Sequence, residues 1–308
     1  MTARTQRTRL LAAGAVAASV SLILTGCGSS KSSTGGGASA TASIKPVTAD
    51  PALVAQVPAD IKSAGKIVVA SDASYAPNEF QDASGKIIGM DVDLANAIGQ
   101  KLGLQVEVQN SQFTAIIPGI QANKFQLGMS SFTDNKEREA TVDMVTYFLA
   151  GTSAAVKKGN PDKIDPNDLC GKKIAVQTGT TQADSIKDTI TPNCTKAGKP
   201  GVPNDGDKFD LQTDVTTALV SGRDQVMLAD SPVIDYAIKQ TNGQLEQLGT
   251  VEGKAPYGVV LVKGSALTKP VQGAIQSLMD DGTYKQILEK WGVQAGAIDK
   301  SVINGATS

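Results

Sequence analysis

The 308-residue sequence contains no histidine, and this absence removes whole classes of chemistry. Histidine is the commonest general base and the commonest metal ligand in proteins. Ser-His-Asp and Cys-His catalytic machinery are therefore excluded, and an ordinary zinc site is disfavoured. We expect a protein with no catalytic residue of this kind, no metal and no cofactor.

The sequence also lacks an excess of charge and has few aromatic residues. There are 29 basic and 30 acidic residues, a net charge of −1, and aromatic residues make up 4% of the chain. No bulk electric field therefore favours nucleic acid or an acidic membrane. No basic stripe with interleaved aromatic residues is present either, so we expect no nucleic-acid partner.

The N-terminus has the pattern of an export signal. Arg4, Arg7 and Arg9 precede an apolar run at residues 10–24, which is shorter than the ~20 residues that a membrane-spanning helix needs. The run ends in LTGC, residues 24–27, which resembles a bacterial lipobox with Cys27 as the lipidated residue. We expect a signal peptide at 1–26 and an anchor of more than one acyl chain. A soluble secreted protein with an incidental Cys27 is the alternative.

A tract rich in Gly, Ser and Thr follows at residues 27–50 and predicts a flexible tether. The two remaining cysteines, Cys170 and Cys194, predict a disulfide, because an isolated pair in an exported protein is usually oxidised. Such a loop would stabilise the fold by ~3 kcal/mol if it is unstrained.

From Lys66 onward, short β-branched runs alternate with segments of helical periodicity. This alternation predicts βαβ units and largely parallel sheets. Two stretches, residues 147–161 and 251–258, are predicted to be joints rather than helices or strands, and two such crossings of the chain suggest that one domain is inserted in the other. Ligands in such folds usually bind between the domains. The predicted strands are residues 66–71, 104–109, 124–129, 172–177, 208–212, 224–229 and 257–263.

Four polar stretches stand where predicted strands end. In the first, residues 71–80, Asp72 and Tyr75 suit a ligand cleft, although turn formation and packing explain them equally well. In the second, residues 128–139, Ser131, Thr133 and Arg138 suit a carboxylate, which a guanidinium binds through two parallel hydrogen bonds. The alternative for this stretch is a helix N-cap at Ser131 or Thr133, with Arg138 on a solvated face.

The third stretch, AVQTGTTQ at residues 175–182, places hydroxyl groups at a helix start, where free N–H groups favour an anion. It lacks the lysine of a phosphate-binding loop, and capping by Thr180 or Thr181 explains it equally well. In the fourth, Asp230 ends an apolar strand before Pro232 and suits either a ligand ammonium or an N-cap. Together the four stretches favour a ligand with both a carboxylate and an ammonium, as in an α-amino acid.

The order of these motifs carries a family resemblance. The chain from about Lys66 to Gly292 resembles the family 3 solute-binding proteins of ABC importers, especially their lipid-anchored actinobacterial members. The resemblance implies a two-lobed α/β fold of the periplasmic-binding-protein type II, with two hinge strands and mostly parallel sheets. Lobe 1 would comprise residues 51–154 and 253–308, with the C-terminal helices, and lobe 2 residues 155–252. The matching motifs are SDASYAPNEF, GKIIGMDVDLANAIGQKLG, GMSSFTDNKERE, GKKIAVQTGTTQ, MLADSPV, APYGVVLVKG and DGTYKQILEKWG.

The resemblance also implies a role for each of nine residues. One group would hold the α-carboxylate, a second the α-ammonium and a third the ligand side chain. The chain departs from the family pattern at Asn78, Asn135 and Met144 and in an insert at 196–208, which puts the identity of the side chain in doubt. The nine residues are Arg138, Thr133 and Thr181 for the carboxylate, Asp230 and Ser131 for the ammonium, and Tyr75, Phe113, Asp72 and Gln177 for the side chain.

The resulting expectation is an extracytoplasmic lipoprotein that captures a polar or charged L-amino acid by hinge closure. Its partners would be an ABC permease in the cytoplasmic membrane and the lipid anchor, and the protein would be a monomer. One alternative is an enzyme of the cyclohexadienyl dehydratase type, in which Asp72 or Glu79 would supply the general acid. A second alternative is an extracellular sensory or adhesive domain.

Overall fold

The computed structural model describes residue 44 and residues 46–306. The predicted signal peptide at 1–26, the lipidation site Cys27 and most of the tether at 27–50 lie outside these residues. Within the described part of the chain, no helix has both the length and the apolar character needed to cross a membrane.

The described chain alternates helices and strands, as the sequence predicts. A π-helical turn at Ile186–Ile190 joins α6 to α7, and 3-10 turns lie at Pro203–Asp205 and Gln294–Gly296. The helices are α1 Pro51–Gln56, α2 Ala59–Ala64, α3 Met90–Lys101, α4 Phe113–Gln121, α5 Lys136–Glu139, α6 Thr181–Ser185, α7 Thr191–Lys196, α8 Gln212–Ser221, α9 Ser231–Gln240, α10 Thr268–Asp280 and α11 Thr283–Trp291. The strands are β1 Lys66–Ser71, β2 Ser74–Tyr75, β3 Glu79–Gln81, β4 Ile87–Ile88, β5 Gln105–Asn110, β6 Leu127–Gly128, β7 Val142–Lys157, β8 Ile174–Gln177, β9 Asp207–Phe209, β10 Val226–Asp230 and β11 Leu245–Val262.

Eight of these strands form one sheet in the order β5-β1-β6-β11-β7-β10-β8-β9. Parallel pairs occupy both ends, with β1 between β5 and β6, and β8 between β9 and β10. The long strands β7 and β11 run antiparallel through the middle and connect the two ends. This mostly parallel sheet with two connecting strands agrees with the predicted fold class. Strands β2, β3 and β4 form a separate small antiparallel sheet.

Both stretches that were predicted to be joints belong largely to long strands, so the prediction that they interrupt the secondary structure is wrong. Residues 147–157 continue β7, and residues 251–258 lie inside β11. Pairing between β7 and β11 occupies backbone groups in both segments, through Glu252 with Thr152 and again from Ala255 onward. The Gly and Pro residues instead mark places where the β7–β11 register shifts, between Leu248 and Glu252 and again before Ala255.

Two predicted strands are longer than the structure allows. The segment 124–129 contributes only Leu127–Gly128, because a turn with Asn123 in the left-handed region (φ 58°) follows α4. The segment 208–212 ends as a strand at Phe209, because Gln212 already begins α8. The predicted disulfide is confirmed: Cys170 and Cys194 are bonded, with Cα atoms 5.5 Å apart.

The buried apolar side chains form separate clusters on the two sides of the sheet centre. One set comes from residues 53–150 and 257–293, and the other from residues 154–248. We call the parts around them the first half (46–150 and 255–306) and the second half (152–252). Tyr75 is the exception, because it belongs to the first half by sequence but packs in a second-half cluster. The exact lobe boundaries stay a prediction.

Candidate functional site

A small cleft lies between the first and second halves. All nine residues that the sequence singles out line it, together with three that it does not. The lining residues are Asp72, Tyr75, Phe113, Ser130, Ser131, Thr133, Arg138, Gln177, Thr180, Thr181, Gln182 and Asp230.

Asp72 lies directly after β1, at the carboxyl end of a central parallel strand. Its carboxylate accepts hydrogen bonds from Ser74 Oγ at 2.6 Å and from the Phe113 N–H at 2.9 Å. The residue is 2% exposed, and this burial raises its pKa above the ordinary value, although the two hydrogen bonds oppose the shift. Asp72 therefore both shapes the local turn and presents a buried carboxyl group to the cleft.

Arg138 reaches the cleft from the short helix α5. Asn135 caps this helix, since its side chain accepts a hydrogen bond from the Arg138 N–H at 2.8 Å. The predicted alternative of a cap at Ser131 or Thr133 is therefore wrong: both precede the helix and line the cleft, with Ser131 in the left-handed region at φ 52°. The asparagine cap turns the first helical residues so that Arg138 points across the cleft.

The Arg138 guanidinium has more N–H donors than its hydrogen bonds within the protein use. It donates to the carbonyl oxygens of Thr133 at 2.9 Å and Gly179 at 3.2 Å, which uses two of its five N–H groups. It also lies over the rings of Phe132 and Phe113, 5.3 and 5.8 Å from their centroids. Among the described residues no carboxylate lies within 4.0 Å of it, so the remaining donors are available for an anion.

Asp230 supplies the opposite charge from the second half, at the end of β10. It begins helix α9 but its side chain makes no capping bond, so the capping alternative is wrong here. The carboxylate instead accepts hydrogen bonds from Tyr75 Oη at 2.9 Å and Gln182 Nε2 at 2.8 Å. Burial raises the pKa of Asp230, whereas these donors and the charge of Arg138 lower it.

The hydroxyl-rich helix start at residues 178–182 serves two purposes. Thr180 caps α6, since its Oγ1 accepts from the Ala183 N–H, and the same residue lines the cleft. Thr181 begins the helix and also faces the cleft. Capping and ligand contact, which the sequence presents as alternatives, are therefore compatible at this position.

Several hydrogen bonds cross the cleft between the halves. Besides the Tyr75–Asp230 and Arg138–Gly179 bonds, Gln177 Nε2 donates to Asp72 at 3.2 Å. The backbone N–H of Gln212 donates to Ser74 Oγ at 3.1 Å. The same residues that line the cleft therefore also hold its two walls together.

Sequence reasoning missed Ser130, Thr180 and Gln182 as site residues. All three lie inside motifs that it quoted, but a hydroxyl or amide in such a motif has many possible uses. Gln182 becomes recognisable only through its hydrogen bond to Asp230, which is 48 residues away in the chain. Within the described residues, no group of three or more Cys, Asp or Glu side chains is arranged to hold a metal ion.

A two-part α/β fold with a small polar cleft at the centre defines a solute-binding protein of the type II periplasmic class. The chain belongs to the bacterial extracellular solute-binding proteins, family 3, whose family model matches residues 67–294.

Named relatives and solved structures support this membership. The chain is 32% identical over 255 residues to the arginine-binding protein ArgT of Corynebacterium glutamicum, covering 82% of this chain and 83% of the relative. The structure of an ancestral arginine-binding protein bound to arginine superposes with a TM-score of 0.67 at 35% identity, covering 74% of this chain and 98% of the other. The ancestral amino acid-binding protein AncCDT-1, a precursor of cyclohexadienyl dehydratase, gives a TM-score of 0.66 at 33% identity, covering 75% and 97%.

Proposed function

We propose that this protein is the substrate-binding component of an ABC importer and that its ligand is an L-amino acid with a cationic side chain, arginine above all. The observation that carries the proposal is the charge of the cleft. Its lining contains two buried carboxyl groups, Asp72 and Asp230, and one guanidinium, Arg138. None of the three has an ion-pair partner among the described residues.

The charge balance favours a cationic side chain. The carboxylate and ammonium of a zwitterionic amino acid would pair with Arg138 and Asp230, which leaves Asp72 as an unpaired negative charge. Burying a charge without a partner is costly, so a ligand with one extra positive charge fits better than a neutral or acidic one. The names of the relatives ArgT and the ancestral arginine-binding protein support the same ligand.

In this proposal residues from both halves of the protein hold each charged end of the ligand. Arg138, with Thr133 and Thr181, holds the α-carboxylate, and Asp230, with Ser131, holds the α-ammonium. The aromatic rings of Tyr75 and Phe113 stack on the side chain, while Asp72 and Gln177 contact its charged end. The support is that all nine residues line one cleft.

Capture would proceed by hinge closure, in which the ligand binds one lobe and the other then covers it. The lobes are the predicted 51–154 with 253–308, and 155–252. The two long strands β7 and β11 connect the two halves, and the pairing between them is irregular near Glu252, which supports a hinge there. Closure would surround both charged ends of the ligand.

We also propose that the protein lies outside the cytoplasm, lipidated at Cys27 after removal of residues 1–26, and delivers its ligand to a permease as a monomer. The support is the sequence pattern LTGC after the apolar run. Growth with a labelled fatty acid should label the wild-type protein but not Cys27→Ala. A wild-type protein that takes up no fatty acid would contradict the anchor.

The enzyme alternative is not favoured by a specific observation in the cleft. The relative AncCDT-1 is itself an amino acid-binding protein by name. We therefore expect no turnover of prephenate or arogenate by the purified protein. Measurable dehydration of either compound would reverse this assignment.

Binding is tested first by thermal shift with the twenty amino acids, because a ligand at 100 times its Kd stabilises a protein by ~2.7 kcal/mol. Arginine and lysine should give the largest shifts. Calorimetry then compares arginine with citrulline, its neutral isostere. We expect the wild type to prefer arginine strongly and Asp72→Asn to lose most of that preference.

Asp210→Asn is the matched control, since Asp210 lies near Asp72 but is exposed. This variant should keep the wild-type preference for arginine. Equal affinity of the wild type for arginine and citrulline would refute the charge argument, and the absence of any amino-acid shift would refute the function.

A further inference from the structure

Two carboxyl groups lie directly behind the cleft wall and are not used by the proposed binding scheme. Glu79 belongs to the short strand β3, and Asp91 lies in the first turn of α3. Both residues are 0% exposed, and the Ser131 hydroxyl lies 3.3 Å from an oxygen of each, Glu79 Oε2 and Asp91 Oδ2. A single hydroxyl proton can be donated to only one of these two carboxyl groups, so a second proton is needed to satisfy both.

No cation balances this pair. Among the described residues, no lysine or arginine lies within ion-pair distance of Glu79 or Asp91. The other titratable groups that act on the pair are Tyr147, Tyr75 and Asp72, none of which carries a positive charge. Two buried carboxylates in contact cannot both ionise without a large cost, so one proton stays.

The donors around the pair indicate which group holds the proton. Asp91 Oδ2 accepts hydrogen bonds from the Ser131 N–H at 2.8 Å and from Tyr147 Oη at 2.7 Å, as an ionised carboxylate does. Glu79 is hydrogen-bonded to the hydroxyl groups of Ser130 at 2.9 Å and Ser131 at 3.3 Å, and a hydroxyl group, unlike a backbone N–H, can also accept a hydrogen bond. Its Oδ1 is buried and has no other donor within the described chain, so an acid proton on Glu79 would satisfy it. Burial and the neighbouring Asp91 raise the pKa of Glu79 well above its ordinary value, whereas the pKa of Asp91 rises to about 6.

The pair is connected to the cleft through two serines. Glu79 Oε1 accepts from Ser130 Oγ at 2.9 Å, and Ser130 Oγ in turn accepts from the Asp72 N–H at 2.9 Å. Asp91 accepts a hydrogen bond from the N–H of Ser131, whose left-handed backbone (φ 52°) is unfavourable for a residue other than glycine. Ser131 therefore needs a fixed acceptor behind it to keep this conformation.

We infer that Glu79 and Asp91 share one proton, carried by Glu79, and act as positioning residues that fix Ser130, Ser131 and Asp72 in the geometry that binds the ligand. The inference rests on the proposed binding site for its effect on affinity. It assigns opposite chemistry to two residues that look alike in sequence: one must donate a hydrogen bond, and the other must accept several.

This asymmetry makes the first test. Glu79→Gln keeps a donor and an acceptor of the same shape, so arginine affinity at pH 7 should stay within about threefold of wild type. Asp91→Asn replaces one acceptor oxygen by an amide donor that faces the Glu79 proton. We expect it to weaken arginine binding at least tenfold. Equal losses in the two variants, or the reverse order, would overturn the inference.

A pH series of calorimetric titrations adds a readout that a merely structural role would not move. As the pH rises towards the alkaline limit of the folded state, the wild type should lose affinity relative to Glu79→Gln, because only the wild type can lose the shared proton. The ratio of the two affinities cancels the titration of the ligand's own amino group. A wild type that instead gains affinity relative to Glu79→Gln as the pH rises would contradict a proton on Glu79.

Infrared difference spectroscopy detects the proton without any ligand. At pH 8 the wild type should show the carbonyl stretch of a protonated carboxylic acid, and Glu79→Gln should lack it. This result holds even if Asp91→Asn does not fold or if the ligand is not an amino acid, so it separates the inference from the proposed function. The same acid band in wild type and Glu79→Gln, or none in either, would overturn the assignment.

Discussion

Replacing Arg138 tests the carboxylate end of the binding scheme most sharply. The guanidinium donates two hydrogen bonds to backbone carbonyl groups and packs over two aromatic rings, with donors left for a ligand. Arg138→Ala removes both the positive charge and the planar guanidinium group that can form two parallel hydrogen bonds. Arg138→Lys keeps the charge but cannot form two parallel hydrogen bonds to one carboxylate.

The structure allows the two effects of Arg138→Ala to be separated. In the absence of ligand, the loss of two hydrogen bonds and a cation–π contact should lower the free energy of unfolding by about 1–3 kcal/mol. With ligand, truncating one member of a buried, hydrogen-bonded charge pair costs about 2–5 kcal/mol of binding free energy. This corresponds to a weakening of roughly 30-fold to several thousandfold, since every 1.4 kcal/mol is tenfold. For Arg138→Lys we expect roughly 10- to 100-fold.

The assay is calorimetric titration with L-arginine, after circular dichroism has established that each variant is folded. Arg223→Ala is the matched control, because Arg223 is the other arginine of the described chain and lies at the surface beside Asp207, outside the cleft. It should leave arginine affinity unchanged. Arg138→Ala binding with near wild-type affinity would refute the assignment of the α-carboxylate to Arg138.

Three further predictions concern pH and stability. Because burial raises the pKa of Asp72, acidification should neutralise it before an ordinary aspartate, and calorimetry should record a ratio of arginine to citrulline affinity that falls as the pH is lowered; a constant ratio would contradict its role. Burial, with Asp207 nearby, raises the pKa of Asp224 to about 6. The protein therefore has its full stability below the ordinary pKa of an aspartate and loses part of it as the pH rises through 6, where this buried carboxyl group ionises. Urea titration should therefore find Asp224→Asn about 1–3 kcal/mol more stable than wild type at pH 8 but not at pH 4, and no gain at pH 8 would contradict the cost of this buried charge. Replacing Cys170 and Cys194 together by serine should lower the free energy of unfolding by ~3 kcal/mol and leave ligand affinity unchanged, and an unchanged stability would show that the disulfide contributes nothing.

The sequence predicts the cleft well because its signals are tied to strand ends. Asp72 follows β1 and Asp230 ends β10, both central parallel strands, so topology alone brings their side chains towards the middle of the sheet. Arg138 likewise lies in the segment that follows β6, another strand of the parallel part of the sheet. The fold class could be predicted for a related reason, since the alternation of strand and helix along the chain allows few other arrangements.

What the sequence could not decide depends on contacts between distant segments. Nothing local shows that Asn135 rather than Ser131 or Thr133 caps α5, since all three residues can cap. Tyr75 is recognised as an aromatic residue near a turn, but its hydrogen bond to Asp230 joins residues 155 positions apart. The Glu79–Asp91 contact likewise appears only once β3 packs beside the first turn of α3.

We propose above all that this cleft binds both the α-carboxylate and the α-ammonium group of an L-amino acid with a cationic side chain. The most direct test titrates the wild-type protein with L-arginine and with two analogues: agmatine, which lacks the α-carboxylate, and 5-guanidinopentanoate, which lacks the α-amino group. We predict that arginine binds and that each analogue binds at least 30-fold more weakly, since each leaves Arg138 or Asp230 without its partner (about 2 kcal/mol or more). An analogue that binds as tightly as arginine would contradict the claim.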